Sequence, residues 1–313
     1  PAEGVVEYQN FIVDPGFTED VWVRAAEVRP GDRRVVHHCN IFLSPPGAGS
    51  NDDIHQTGEL GSANLIAFTP GSGPVRLPDG LAKRIPAGWR LQFNIHYTPI
   101  GTPQSDRTEV GLLFLPAEKV RKEVATRLLQ DLELEIPPHA ANHRVDHAWT
   151  ADRDYLLLSM FAHMHLRGKS FRYTAEYPDG STEVLLDIPA YDFNWQHRYV
   201  LEEPKRLPAG TVLRCTAVYD NSAGNPANPD PSATVRSGLQ TWEEMFNGYY
   251  DIVLADQDMP AERAAAQTQR VGSQAVLLAA SGLAVLWGWR MTRGRGRPSP
   301  PGGPASVVTG PPS

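Results

Sequence analysis

Short apolar runs rich in Val, Ile, Leu, Phe and Tyr, each ended by a cluster of turn formers, fill the sequence from Tyr8 to Leu254. The clusters include DPG, RPGD, SPPGAGSNDD, TPGSGP, PDG, PAG and PIGTPQSD, and the 28 prolines and 27 glycines fit that punctuation. Glycine reaches positive φ without steric cost and proline fixes φ, so each cluster ends a run and reverses the chain. Runs of roughly four to eight residues between such reversals read as β-strands. An antiparallel chain with a turn about every 8 to 12 residues buries its apolar faces by packing sheet on sheet. The expected fold is therefore all-β, with two antiparallel β-sandwich domains in tandem over residues 1–120 and 121–255. The boundary is expected near residues 117–140, where a more helical stretch, AEKVRKEVATRLLQDLE, grades into the alternating LELEIPP. EIPPHAANHRVDHAW then reads as a connector, after which β-type runs resume at Tyr155.

The C-terminal part has a different character. Residues 256–270, DQDMPAERAAAQTQR, form a polar linker to VGSQAVLLAASGLAVLWGW, residues 271–289, which carries no charge and is bounded by Arg270 and Arg290. That length suits one helical crossing of a bilayer core. Its place after an acidic linker and before arginines favours a transmembrane helix over a buried core helix. Residues 290–313 hold Arg290, Arg293, Arg295 and Arg297 and are rich in Pro, Gly and Ser, so they read as a disordered basic cytoplasmic tail. The body is then extracytoplasmic, periplasmic or extracellular, on a single-pass anchor. The chain opens Pro1-Ala2-Glu3 without a visible signal peptide, so an export signal or a redox domain is expected upstream. A net charge of −7 without a basic patch argues against a nucleic-acid partner. Cys39 and Cys215 are far apart and in no CxxC pattern, so both read as small buried residues.

Histidines carry the chemistry. In YLLLSMFAHMHLRG, strand alternation puts Leu156, Leu158, Met160, Ala162, Met164 and Leu166 on one apolar face. His163 and His165 point the other way, with Cα atoms about 6.5 to 7 Å apart, a spacing that two imidazoles can close on one ion. In RLQFNIHYTP, His96 lies on the polar face with Gln92, Asn94 and Thr98. His37 and His38 of RRVVHHCNIFL are adjacent, so they share an ion only where a bulge or strand end re-aims one of them. His55, His139, His143, His147 and His197 sit in loops, the connector or a turn-rich segment and read as solvated. A thioether ligand would favour Cu(I). Of the five methionines, Met160 and Met164 are on the wrong face and Met259 and Met291 lie in the linker or past the span. That leaves Met245 of TWEEMFNGYYDI, which otherwise reads as a gap-filling core residue.

Taken in order, VVHHCN, NIHYTP, AHMHLRG and WEEMFNGYY resemble the copper type II, ascorbate-dependent monooxygenases, the family of peptidylglycine α-hydroxylating monooxygenase and dopamine β-monooxygenase. The resemblance covers about residues 5 to 254. It implies two coppers per chain: one held by His37, His38 and His96, the other by His163, His165 and Met245. Each would sit on its own jelly-roll-like sandwich, the two facing each other across a solvent-filled cleft. It also places Asn247 and Tyr249 with the catalytic His-His-Met set, and Tyr8, Phe161, Asn247 and Tyr249 at the substrate. The implied reaction hydroxylates a C–H bond of a small molecule or peptide with O2 and a one-electron donor, ascorbate or a redox domain or cytochrome.

Two positions depart from the family. Phe161 stands where peptidylglycine hydroxylases carry an arginine, and Asn94 stands where they carry a glutamine. With the family's several disulfides missing too, this points to a bacterial branch with a different substrate. A Met ligand and the lack of an acid placed as a general base beside HxH argue against a hydrolytic zinc site. The competing reading is an exported copper-binding or electron-transfer module that keeps the ligands without hydroxylating.

Overall fold

The computed structural model describes residues 1–49 and 64–268, and over them the protein is nearly all β. One sheet orders β1 (Gln9–Val13), β7 (Arg90–Tyr97), β3 (Val36–Ser44) and β4 (Asn64–Phe68). Facing it, β2 (Val21–Arg29) pairs with β5 (Val75–Arg76), β6 (Leu81–Ile85) and β8 (Glu109–Phe114), and β9 (Lys122–Glu123) adds parallel to β6. The apolar faces close on Val23, Val28, Cys39, Ile41, Ile66, Ile85 and Phe93. In the second half, one sheet orders β10 (Ala125–Gln130), β19 (Asn247–Leu254), β13 (Tyr155–His163) and β16 (Tyr199–Leu207). Its partner orders β12 (His143–Thr150), β17 (Val212–Tyr219), β14 (Gly168–Glu176) and β15 (Thr182–Ile188). The short strands β11 (Glu135–Ile136) and β18 (Val235–Arg236) pair with each other. Counting the eight long strands of this half, the two sheets read 1-8-3-6 and 2-7-4-5, the order of an eight-stranded jelly roll. Phe171, Tyr173, Tyr219, Phe246 and Ile252 fill its core.

Two bulges decide which side chains leave these cores. In β13 the register shifts between Leu157 and Ser159. Strict alternation from Leu156 to Leu166 therefore fails. Tyr155 and Leu157 face the core before the bulge, and Met160 and Ala162 face it after. Leu156 and Leu158 instead pack with Leu77, Val124 and Val253. The bulge thus turns Ser159, Phe161 and His163 to the outer face of the sheet. In β3 the register shifts between Val36 and His38, which bulges His37.

The two sandwiches meet on their outer faces, where Thr69 Oγ1 donates to the Gln196 carbonyl at 2.7 Å. Lys83 Nζ of β6 lies 3.4 Å from the Asp251 carboxylate of β19. Pro1–Pro260 is one compact unit.

Several expectations change. The helical reading of AEKVRKEVATRLLQDLE reduces to a single 3-10 turn, Ala117–Lys119, before β9 and β10. The remainder pairs as strand, because Ala125–Gln130 has an edge of β19 to bond. The connector contains a full strand, β12, so His143 and His147 are strand residues, with the His147 ring nitrogen 3.1 Å from Asp131. In the linker, residues 259–268 are helical. The expected span at 271–289 and tail at 290–313 lie outside the described residues. Among the described residues no helix is long and apolar enough to cross a membrane. Cys39 and Cys215 are buried, as expected, and both are free thiols; burial pushes the first up to about 12.

Candidate metal centre

The first histidine set forms where β3 meets β7. His38 and His96 are direct cross-strand partners, and the bulge brings the preceding His37 to the same side. One ring nitrogen from each of the three lies within 4.8 Å of the others, and the two Nδ1 atoms of His37 and His38 are 3.1 Å apart. An ion about 2.0 to 2.1 Å from each nitrogen needs them within about 4.2 Å of one another. Side-chain adjustments of a few tenths of an ångström meet that. Tyr8 covers the set: its hydroxyl lies 2.7 Å from His38 Nε2, and its ring stacks on His96 at 4.9 Å. His96, expected on a polar face, is buried by this stack, and its Nδ1 has no hydrogen-bond partner.

The second set begins at the end of β13. The rings of His163 and His165 are 5.1 Å apart at 82°. Gln196 donates its amide to the Phe193 carbonyl, so its Oε1 accepts from His163 Nδ1 at 2.6 Å. The Glu243 carbonyl lies 3.3 Å from His165 Nδ1, and His165 Nε2 is buried with no partner. Both contacts hold the proton on Nδ1 and leave Nε2 bare, the tautomer a metal requires. Met245 is fixed to this loop by one carboxylate. Glu244 Oε2 accepts the backbone N–H of His165 at 2.8 Å and of Met245 at 3.2 Å, while Oε1 accepts that of Arg167 at 2.6 Å. Burial pushes Glu244 up to about 7 against these three donors. The Met245 sulfur accepts from Asn247 Nδ2 at 3.3 Å.

His38 of the first set and His163 and Met245 of the second line one cavity of about 40 Å³, together with Tyr8, Phe161, Asn247 and Tyr249. Asn247 is the cross-strand partner of His163, and Tyr249 that of Phe161. His38 and His163, from different sandwiches, have ring centroids only 6.1 Å apart. Where the resemblance implied a solvent-filled cleft between the two sets, the described residues leave a small cavity. Segment 189–198 closes it: Phe193 stacks on His37 at 4.9 Å and stands 6.1 Å from His165, while Gln196 bonds both His163 and Thr69. Sequence reasoning missed Phe193, Gln196 and Glu244. The signal for the first two was an unusual density of aromatics in YDFNWQHRY, more than a solvated turn needs.

Burial, reinforced by neighbouring imidazoles, holds His38 and His165 well below the ordinary imidazole range and pushes His96 down to about 4. His163 is also pushed down to about 4 by burial, the Gln196 bond working against it. All are neutral near pH 7, the form that donates a lone pair to a metal. Bare buried nitrogens on His96 and His165, a thioether on the shared cavity and no acid among the cavity's described lining residues together fit copper. They do not fit a hydrolytic zinc site, which needs a base.

The sequence matches no protein-family model and no curated protein. Among solved structures, the chain is similar to the STIV MCP, with a TM-score of 0.38, 8% identity, and 80% of this chain and 93% of that chain covered. It is similar also to the major capsid protein P2 from bacteriophage PM2, with a TM-score of 0.31, 7% identity, and coverage of 80% and 100%. For the infectious bursal disease virus VP2 subviral particle the TM-score is 0.24, with 10% identity and coverage of 79% and 60%.

Proposed function

We propose that this chain is a copper-dependent monooxygenase that hydroxylates a C–H bond of a small molecule or peptide, using O2 and a one-electron donor such as ascorbate. The observation that carries the reading is one cavity reached by histidines of both sandwiches and by the Met245 thioether. Copper held by His37, His38 and His96, and by His163, His165 and Met245, supplies dioxygen activation and one-electron storage when bound. The chain's own residues do the rest. Gln196 and the Glu243 carbonyl hold the Nδ1 protons, so that Nε2 of His163 and His165 stays a donor. Glu244 ties His165 and Met245 to one carboxylate, fixing two ligands from distant parts of the sequence. Phe161 and Tyr249, with ring centroids 5.8 Å apart, wall the cavity against bulk water. The uncharged run at 271–289 followed by arginines supports a membrane anchor that keeps this body extracytoplasmic.

A second reading, a copper-binding or electron-transfer module, draws on the cavity's size. About 40 Å³ admits a few water-sized molecules and is far below the usual volume of a small-molecule site. A screen of candidate substrates under O2 and ascorbate separates the two. Hydroxylated product formed with ascorbate-dependent O2 consumption, and lost in Met245→Ala, supports the enzyme. Copper binding without turnover across the screen supports the module, and full activity in Met245→Ala overturns the site assignment.

A further inference from the structure

A second cavity, about 330 Å³, shares the wall residues Asn40, Thr69, Phe161 and Tyr249 with the metal cavity. That volume lies at the lower end of small-molecule sites. Its composition is one-sided. The ionisable groups along it are Arg76, His197, Arg198 and Tyr249, and none of its described lining residues is acidic. Arg76 is exposed on the edge strand β5 and meets no carboxylate among the described residues.

The floor carries surplus positive charge as well. Thr126 lines it, and behind Thr126 the buried Asp251 is shared by two cations, Lys83 at 3.4 Å and Arg198 in close contact. One carboxylate cannot neutralise both, and buried charge without a counter-charge is costly. The apolar part of the wall is Ala67, Pro74, Val75, Val200 and the Phe161 ring, beside neutral polar residues such as Asn40 and Ser72.

We propose that this chamber binds a small organic anion, its oxyanion on Arg76 over the Arg198 floor and its apolar body against Val75, Val200 and Phe161. The inference rests on the proposed function in one respect, that the bound molecule reacts with the metal cavity that shares its Phe161 and Tyr249 wall. The oxyanion can belong to a carboxylate substrate or to an ascorbate-type reductant. The cationic groups lie on the chamber's rim and floor.

The test uses the copper-free protein, so that its outcome is independent of copper chemistry. Isothermal titration with phenylacetate, with its neutral analogue phenylacetamide and with ascorbate reads the chamber directly. At least one of the two anions is expected to bind tenfold or more tightly than phenylacetamide. Arg76→Gln is expected to abolish that preference and Arg76→Lys to keep most of it. Binding of phenylacetate identifies the substrate's carboxylate as the occupant, and binding of ascorbate alone identifies the reductant. Neither anion exceeding phenylacetamide, or Arg76→Gln leaving both unchanged, overturns the proposal. Copper stoichiometry on the same preparation shows whether the metal assignment stands regardless.

Discussion

Replacing Asp251 by asparagine removes the single carboxylate that faces both Lys83 and Arg198 between the sandwiches. The side chains of Lys83 and Asp251 are 8% and 2% exposed, so solvent screens neither. Burial pushes Lys83 down to about 8 even with Asp251 beside it, while Arg198 and Lys83 hold Asp251 below the usual carboxylate range against its own burial. Asp251→Asn leaves the buried Lys83 and the half-buried Arg198 without a counter-charge, a loss of about 3 to 5 kcal/mol. Lys83→Met keeps the Asp251–Arg198 pair and removes a desolvated ammonium. It gives up the hydrogen bonds to Leu65 O and Thr126 Oγ1, a net loss of about 1 to 2 kcal/mol. The double variant is expected to be milder than the sum of the two by at least about 1.5 kcal/mol.

The pH dependence has a fixed sign. The unfolded chain holds the Lys83 proton up to about 10.5 and the folded protein releases it near 8, so the unfolded state binds more protons between them. Stability of the native protein relative to Lys83→Met therefore rises from pH 8 to 10.5, by about 3 kcal/mol in all. Urea unfolding of the four proteins at pH 7 and pH 10 measures both effects. An Asp251→Asn loss under about 1 kcal/mol, or strict additivity of the two substitutions, would refute the charge network as the clamp between the sandwiches.

Three further outcomes are expected. Gln196→Leu removes the acceptor on His163 Nδ1 and should weaken copper at the His-His-Met set by roughly 10- to 100-fold, read by competition with a Cu(I) chelator, with the His37-His38-His96 set unchanged. Gly248→Ala places a Cβ 2.7 Å from the buried Cys215 sulfur, so unfolding should show a loss of about 1 to 3 kcal/mol; no loss would mean that β19 shifts freely. Glu244→Ala strips three backbone N–H groups of their acceptor, and at about 1 to 3 kcal/mol for each buried donor left unmade it should destabilise the copper-free protein strongly in the same assay, whereas a loss below 1 kcal/mol would remove Glu244 as the anchor of the His165 and Met245 loop.

The strand content was legible because turn clusters are local signals, and a run such as RLQFNIHYTP carries its own alternation. Leu91, Phe93 and Ile95 do face the core and His96 does not. The alternation of YLLLSMFAHMHLRG failed at Leu158, since a bulge is a property of the pairing with β19 and leaves no mark in one strand. The helical pattern of AEKVRKEVATRLLQDLE lost to an available sheet edge, a tertiary effect that no local propensity reports. For the site, residue types that rarely do anything but bind metal or pack, such as the HxH pair, stood out in the sequence. Gln196 and Glu244 did not, because a glutamine or a glutamate in a polar loop looks solvated until the fold buries it.

The measurement that tests the central claim most directly is copper per chain at saturation, by metal analysis of the protein and of two variants, His96→Ala and His163→Ala. Two coppers in the parent and one in each variant, with sulfur scattering in the X-ray absorption of His96→Ala and none in His163→Ala, is the predicted result. Fewer than one copper in the parent, or a variant that loses none, contradicts it.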